Sequence, residues 1–138
     1  MAQTDIDLLR DLYRRYSVGD IAPLFERLAP DVEWVSGHRS PALASFSGIF
    51  HGPGGVRRYF EGLARDWTIT RHDMRTIGEE DGRIVARNRV EAVNNATGKP
   101  VEVTTEHRWV LRDGLIRRFE ERCEDEALLE AACPPCGP

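Results

Sequence analysis

The chain has 138 residues, 41% of them hydrophobic and 30% charged, a mix that suits one globular domain with one core. A net charge of −4 and a pI of about 5.6 exclude the basic footprint of a nucleic-acid binder. No apolar run approaches the ~20 residues that span a bilayer, and Met1-Ala2-Gln3-Thr4-Asp5 lacks the features of a signal peptide, so a cytoplasmic location is the default expectation.

Residues 4–18 read as a helix with Thr4 as N-cap, Asp7 three residues on, and Ile6, Leu9, Tyr13 and Tyr16 at helical spacing. Gly19 ends it. Asp20 opens a second short helix with Ile21, Leu24, Phe25 and Leu28 on one face, stopped by Pro30. Residues 31–36 alternate as a strand with Val32, Trp34 and Ser36 on one side. Residues 37–51 show no period and read as a flap over the end of the domain. Gly52-Pro53-Gly54-Gly55 leads into a third helix with Val56, Tyr59, Phe60 and Leu63 as its stripe. A phosphate cradle is disfavoured there, because no GK[ST] follows.

Four strands are then expected, over residues 67–77, 83–93, 101–112 and 115–123, with turn chemistry between them. A last short helix is expected over 124–132. The domain is thus 1–132 with a tail at 133–138, and helices followed by antiparallel strands make an α+β pattern. Cys123, Cys133 and Cys136 are an odd count, not a disulfide framework. Cys133-Pro134-Pro135-Cys136 reads as an exposed tail rather than half a zinc site or a redox pair.

Alternation assigns the faces. Val101, Val103, Thr105, His107, Trp109 and Leu111 form one side of the third long strand, which puts His107 on the core side. Ile84, Ala86, Val90 and Ala92 mark the second long strand, interrupted by Asn88. The first is ambiguous, because Met74 has the opposite parity to Trp67, Ile69 and Ile77, and His72, among charged neighbours, reads as solvent-facing. In the fourth, Phe119, Glu121 and Cys123 share a face, with Ile116 on the wrong side of it.

A two-residue turn at Asp113-Gly114 pairs Leu111 with Ile116 and His107 with Glu120. A three-residue loop pairs Trp109 with Phe119 and His107 with Glu121, and is preferred because it sets aromatic against aromatic. A bulge near Arg117 reconciles the two. Arg83, Arg87, Arg89 and Arg108 interleaved with Glu91, Glu102 and Glu106 read as a salt-bridged outer face, and no metal motif is present.

The phrases Leu28-Ala29-Pro30-Asp31-Val32-Glu33-Trp34, Phe50-His51-Gly52-Pro53-Gly54-Gly55-Val56-Arg57-Arg58-Tyr59-Phe60, Thr97-Gly98-Lys99-Pro100 and His107-Arg108-Trp109-Val110-Leu111-Arg112-Asp113-Gly114-Leu115-Ile116 are similar to SnoaL-like proteins of the nuclear-transport-factor-two-like superfamily. The resemblance implies a cone-shaped α+β barrel in which a strongly bent antiparallel sheet wraps the N-terminal helices. It also implies a deep apolar pocket for a small hydrophobic ligand or substrate and a homodimer on the outer sheet face. Enzymes of the family use a pocket carboxylate or His as base on carbonyl-activated C–H bonds, or in ring closures, without a cofactor. Many relatives only bind. Where SnoaL-like sequences show Tyr-x-Asp, this chain has Arg122-Cys123-Glu124, which leaves Glu121 or Glu124 as the acid; the oxyanion pair of ketosteroid isomerase is not recognisable.

The candidate catalytic residues are therefore His107, Glu121 and Asn88, the last as oxyanion donor. Trp34, Trp109, Phe119, Tyr16 and His38 are the candidate substrate contacts, with His38 on the flap and His51 structural. Isomerase, cyclase or hydratase chemistry is the leading reading. A non-catalytic ligand-binding module and a structural homodimer are the alternatives.

Overall fold

A computed structural model describes residues 2–135. Cys136, half of the CxxC, lies outside the described residues. The helices are α1 (Ala2–Tyr16), α2 (Ala22–Glu26), α3 (Gly52–Asp66) and α4 (Glu126–Ala132). The strands are β1 (Leu28–Ser36), β2 (Gly48–His51), β3 (Trp67–Glu80), β4 (Arg83–Asn94), β5 (Pro100–Arg112) and β6 (Leu115–Cys123), with a 3-10 helix at Pro41–Phe46 between β1 and β2. No helix among the described residues is long and apolar enough to cross a membrane.

The strands form one curved, unclosed sheet in the order β2-β1-β6-β5-β4-β3, so the expected α+β cone is the architecture found. One pairing departs from the all-antiparallel expectation: β1 and β6 run parallel. They are joined by the rest of the domain rather than by a hairpin, so no tight turn dictates their direction. The pairing sets Trp34 beside Phe119 and Ser36 beside Glu121. The other neighbours are antiparallel.

Two hairpins are closed by Asp81-Gly82 and Asp113-Gly114, whose φ angles are all positive (52° and 76°, then 55° and 74°). That is the primed turn that matches strand twist. The turn before β6 is thus the two-residue form, not the three-residue loop preferred from sequence. The expected bulge supplies the rest. Leu111 pairs with Ile116, the register slips at Arg117, and Trp109 then pairs with Phe119 and His107 with Glu121. The extra residue also turns Ile116 inward, where it is fully buried.

Two further irregularities, at Thr70 and Arg75, resolve the parity of β3. Each inserts one residue and flips the faces that follow. Trp67, Ile69, His72, Met74 and Ile77 therefore all oppose inward residues of β4. The solvent-facing reading of His72 is corrected for this reason.

The helix boundaries need correction too. Thr4 lies inside α1 rather than capping it, and Leu28 and Pro30 belong to β1, where pairing with β6 outweighs helical periodicity. The flap at 37–51 is ordered: Leu43 and Phe46 are buried from the 3-10 helix, and β2 pairs with β1. Cys133, read as the start of an exposed tail, is buried at 8% exposure, with its sulfur 3.3 Å from the Leu129 carbonyl.

Helices α1 and α3 bury Ile6, Leu9, Leu12 and Tyr13, and Val56 and Tyr59, respectively. On the outer face Arg87 pairs with Glu80 and Glu106, Arg89 with Glu102, and Arg108 with Glu106, as the interleaved charges imply.

The 3-10 helix rests directly on α3. A Cβ at Gly62 would lie 1.9 Å from the Ser45 carbonyl oxygen, a backbone atom that cannot rotate away. Gly62→Ala is therefore expected to destabilise the domain by about 1–3 kcal/mol, despite alanine's better helix propensity. Urea unfolding of both proteins checks this; an unchanged midpoint would refute the close approach.

Candidate functional site

Between the sheet and the two long helices lies an apolar cavity of about 110 Å³. Its walls include Trp34 from β1, Tyr16 from α1, Phe60 from α3 and Phe119 from β6. Trp34 stacks on Phe119 with ring centres 3.9 Å apart, and Trp109 meets both rings edge-on. This aromatic corner follows from the pairing of β1 with β6 and of β6 with β5.

A chain of polar groups crosses that wall. Trp109 Nε1 donates to the Tyr13 hydroxyl oxygen at 2.9 Å, and the same oxygen lies 2.6 Å from His107 Nδ1. His107 Nε2 lies 2.9 Å from Glu121 Oε2, and the Tyr59 hydroxyl donates to Glu121 Oε1 at 2.9 Å. An indole nitrogen can only donate, so the Tyr13 proton is free to go to His107 Nδ1. Nε2 faces a carboxylate, which only accepts, so it carries a proton and donates it to Glu121.

Glu121 is a half-buried residue whose side chain is 13% exposed. Burial by itself would push its carboxyl up, but the hydrogen bond from His107 and the charges of His107 and His38 beside it outweigh this and hold the group well below the usual carboxylate range. The phenols move the other way. Burial raises Tyr13 and Tyr59 far above the ordinary phenol value, and burial together with the Glu121 charge pushes Tyr16 up to about 12. They stay protonated, and Tyr59 donates to Glu121.

His38 also lines the cavity, from the segment after β1. Its side chain is 2% exposed, its Nδ1 lies 3.2 Å from Glu126 Oε1, and its Nε2 lies 3.6 Å from Glu121 Oε1. Burial opposes its charge, yet the two carboxylates prevail and raise its pKa. A separate polar cleft is lined by Arg39, Glu120, Glu121, Arg122 and Glu126.

The structure thus brings His107, Glu121, Trp34, Trp109, Phe119, Tyr16 and His38 to one cavity. Asn88 is different. It is buried at 1% exposure and donates to Thr105 Oγ1 at 3.4 Å, but it is not on the cavity wall. Of the two candidate acids, Glu121 faces inward and Glu124 is exposed beyond the end of β6. His51 is an exposed strand residue preceding α3.

Sequence reasoning did not single out Tyr13, Tyr59, His72 or Glu126. Tyr13 and Tyr59 were legible only as members of apolar helical stripes. A phenol in such a stripe must find a partner for its hydroxyl, and that was the available signal. His72 stacks on Tyr13 at 5.8 Å and lies 6.0 Å from His107. Burial, reinforced by the charge of His107, lowers its pKa to about 4.

Comparison with known proteins gives the class. The SnoaL-like domain profile matches residues 9–119, and the chain belongs to that family. Its fold is NTF2-like. It is 28% identical over 129 residues to the uncharacterised protein Rv0034 of Mycobacterium tuberculosis, spanning 92% of this chain and 94% of that one. Among solved structures it resembles an NTF2-like protein of Burkholderia thailandensis, with a TM-score of 0.81 and 23% identity over 95% of this chain and 98% of the other. It also resembles TerC, crystallised with polyporic acid, with a TM-score of 0.75 and 22% identity over 91% and 95% of the two chains. These likenesses establish the fold.

The depressed His72 has a consequence for stability. An ordinary imidazole titrates near 6.5, so between about pH 4 and 6.5 the unfolded chain binds a proton that the folded chain refuses. The stability contributed by neutral His72 is full above 6.5 and is lost as pH falls through that window. His72→Phe is expected to flatten this part of the stability curve, read by urea unfolding at pH 4.5, 5.5 and 7. An unaltered slope would mean that His72 is not held neutral.

Proposed function

We propose that this SnoaL-like domain is a cofactor-independent enzyme that moves a proton on a compact, hydrophobic, carbonyl-containing ring bound in the cavity. The observation that carries the reading is the chain Tyr13–His107–Glu121–Tyr59 on a mostly apolar wall. Holding an ionised carboxylate out of water costs several kcal/mol unless it is paired. A pocket that only sheltered an apolar ligand would be served better by apolar walls. Perturbed ionisable groups lining a cavity are the usual mark of acid–base chemistry.

Glu121 is the base in this reading: its neighbours keep it ionised and able to take a proton, and the same neighbours make it a weaker base than a free carboxylate. Both His107 nitrogens are occupied, by Tyr13 and by Glu121. His107 accordingly holds and orients the carboxylate, and Tyr13 and Trp109 hold His107. Trp34, Trp109, Phe119 and Tyr16 grip the ring and exclude water. A dry apolar cavity of roughly 150 Å³ takes up benzene, so about 110 Å³ suits a ligand as compact as a single small ring. Since Asn88 stands behind the wall, the oxyanion donor is sought elsewhere.

The test is deuterium exchange at the α-carbon of monocyclic ketones such as cyclohexanone and 2-methylcyclohexanone, followed by NMR in D2O. Exchange above the buffer rate is expected, and Glu121→Gln is expected to lower it by about 10²–10⁴-fold, the usual worth of a positioned base, with the thermal transition retained. Saturable binding of the ketones without exchange would overturn the enzyme reading in favour of a ligand-binding module.

A further inference from the structure

The oriented but unused donor of the site is His38. Glu126 heads α4, and its carboxylate gathers the segment after β1: Oε1 accepts from the Arg39 backbone N–H at 2.9 Å and lies 3.2 Å from His38 Nδ1, while Oε2 accepts from the Ser40 N–H at 3.3 Å. A carboxylate in this state accepts only, so His38 Nδ1 carries hydrogen. The Phe46 ring packs edge-on against the imidazole, with centres 5.0 Å apart. The ring is thereby fixed at one nitrogen and on one face. Its other nitrogen, Nε2, is buried at the cavity wall 3.6 Å from Glu121 Oε1, within ion-pair reach but too far for a well-formed hydrogen bond.

A buried donor in a side chain 2% exposed that makes only this long contact is left under-satisfied, which is costly. A bare Nε2 would be worse here, since its lone pair would face the Glu121 carboxylate. We propose that His38 Nε2–H is the donor that takes up the ligand's oxygen, that Glu126 is its positioning residue, and that the ligand is an enolisable carbonyl or its enol or phenol analogue. A hydroxyl satisfies both neighbours at once: its oxygen accepts from His38, and its proton goes to Glu121. In turnover, as the α C–H proton passes to Glu121, the electron pair moves into the C–C–O system and the charge reaches the oxygen that His38 meets. This rests on the proposed use of the cavity and supplies the donor that Asn88 does not.

The groups that set the state of His38 are Glu121 from β6, Glu126 from α4, and the neutral Tyr59 hydroxyl from α3 acting through Glu121. Replacing Glu126 with glutamine removes one negative neighbour and so lowers the His38 pKa. The proton at Nε2 is then lost at the alkaline end first.

Phenol is the probe, because it stays neutral at both pH 6 and pH 8. Its binding would be measured by calorimetry in wild type, His38→Gln and Glu126→Gln, and the imidazole nitrogens of the wild type would be followed by ¹⁵N NMR. The expected result has three parts: a shift of the His38 Nε2 resonance on adding phenol, at least tenfold weaker binding in His38→Gln, and weakening in Glu126→Gln at pH 8 but much less at pH 6. Equal loss at both pH values would mark Glu126 as a merely structural tie and overturn its role. An unmoved Nε2 resonance in the saturated wild type would overturn the donor assignment, even if either variant failed to fold. Ketone exchange that persists with phenol affinity unaffected by His38→Gln sinks this proposal and leaves the enzyme reading standing. Lack of exchange with affinity lost in His38→Gln does the reverse.

Discussion

The Glu121 carboxylate is the constraint around which the interior is arranged. It sits on β6, takes a hydrogen bond from α3 through Tyr59, meets β5 through His107, and faces the segment after β1 through His38. An ionised carboxylate in an apolar interior is tolerated only when its lone pairs are occupied. Four parts of the chain are thus committed to one side chain. The result is an anionic centre with a fixed ring of donors inside a cavity whose walls are mostly aromatic and aliphatic.

Around that centre the imidazoles take different roles from nearly the same chemistry. His107 is engaged at both nitrogens and transmits the orientation of Tyr13 and Trp109 to the carboxylate. His72, stacked among Tyr13, Tyr16 and His107 without a carboxylate of its own, is held neutral by burial. His38, between two carboxylates, is driven the opposite way. Position relative to Glu121 and Glu126 decides the state of each ring, which is how one small cavity presents an acceptor and a donor side by side.

The sheet sets these positions through its irregularities as much as through its strands. The slip at Arg117 brings His107 opposite Glu121 while keeping Ile116 in the core. The two slips in β3 bring His72 inside. The parallel join of β1 to β6 carries Ser36 to the side of Glu121, and His38, two residues on, reaches the cavity. The tight seat of the 3-10 helix on Gly62 holds Phe46 where it contacts His38.

Much of this was legible in the chain. Alternation in β4 and β5 placed His107 and Asn88 inward, and the family phrases gave the cone. Those signals are local, since period-2 burial and turn residues are written in neighbouring side chains. The sequence also paired His107 with Glu121, because aromatic matching across the hairpin is a local preference. What it left out depends on contacts between distant residues. Tyr13 meets His107 across 94 positions and Tyr59 meets Glu121 across 62, and no period in either helix marks the hydroxyl that does so. His72 reads as exposed until the bulges are known. Glu126 reads as a helix-start acid until the segment at 38–40 folds onto it. The sequence by itself determined the family, the four long strands and the inward faces of β4 and β5, because those follow from nearest-neighbour chemistry. The tertiary structure alone decided which buried polar groups meet and which protonation state each keeps, because both depend on charges and donors brought together from remote parts of the chain.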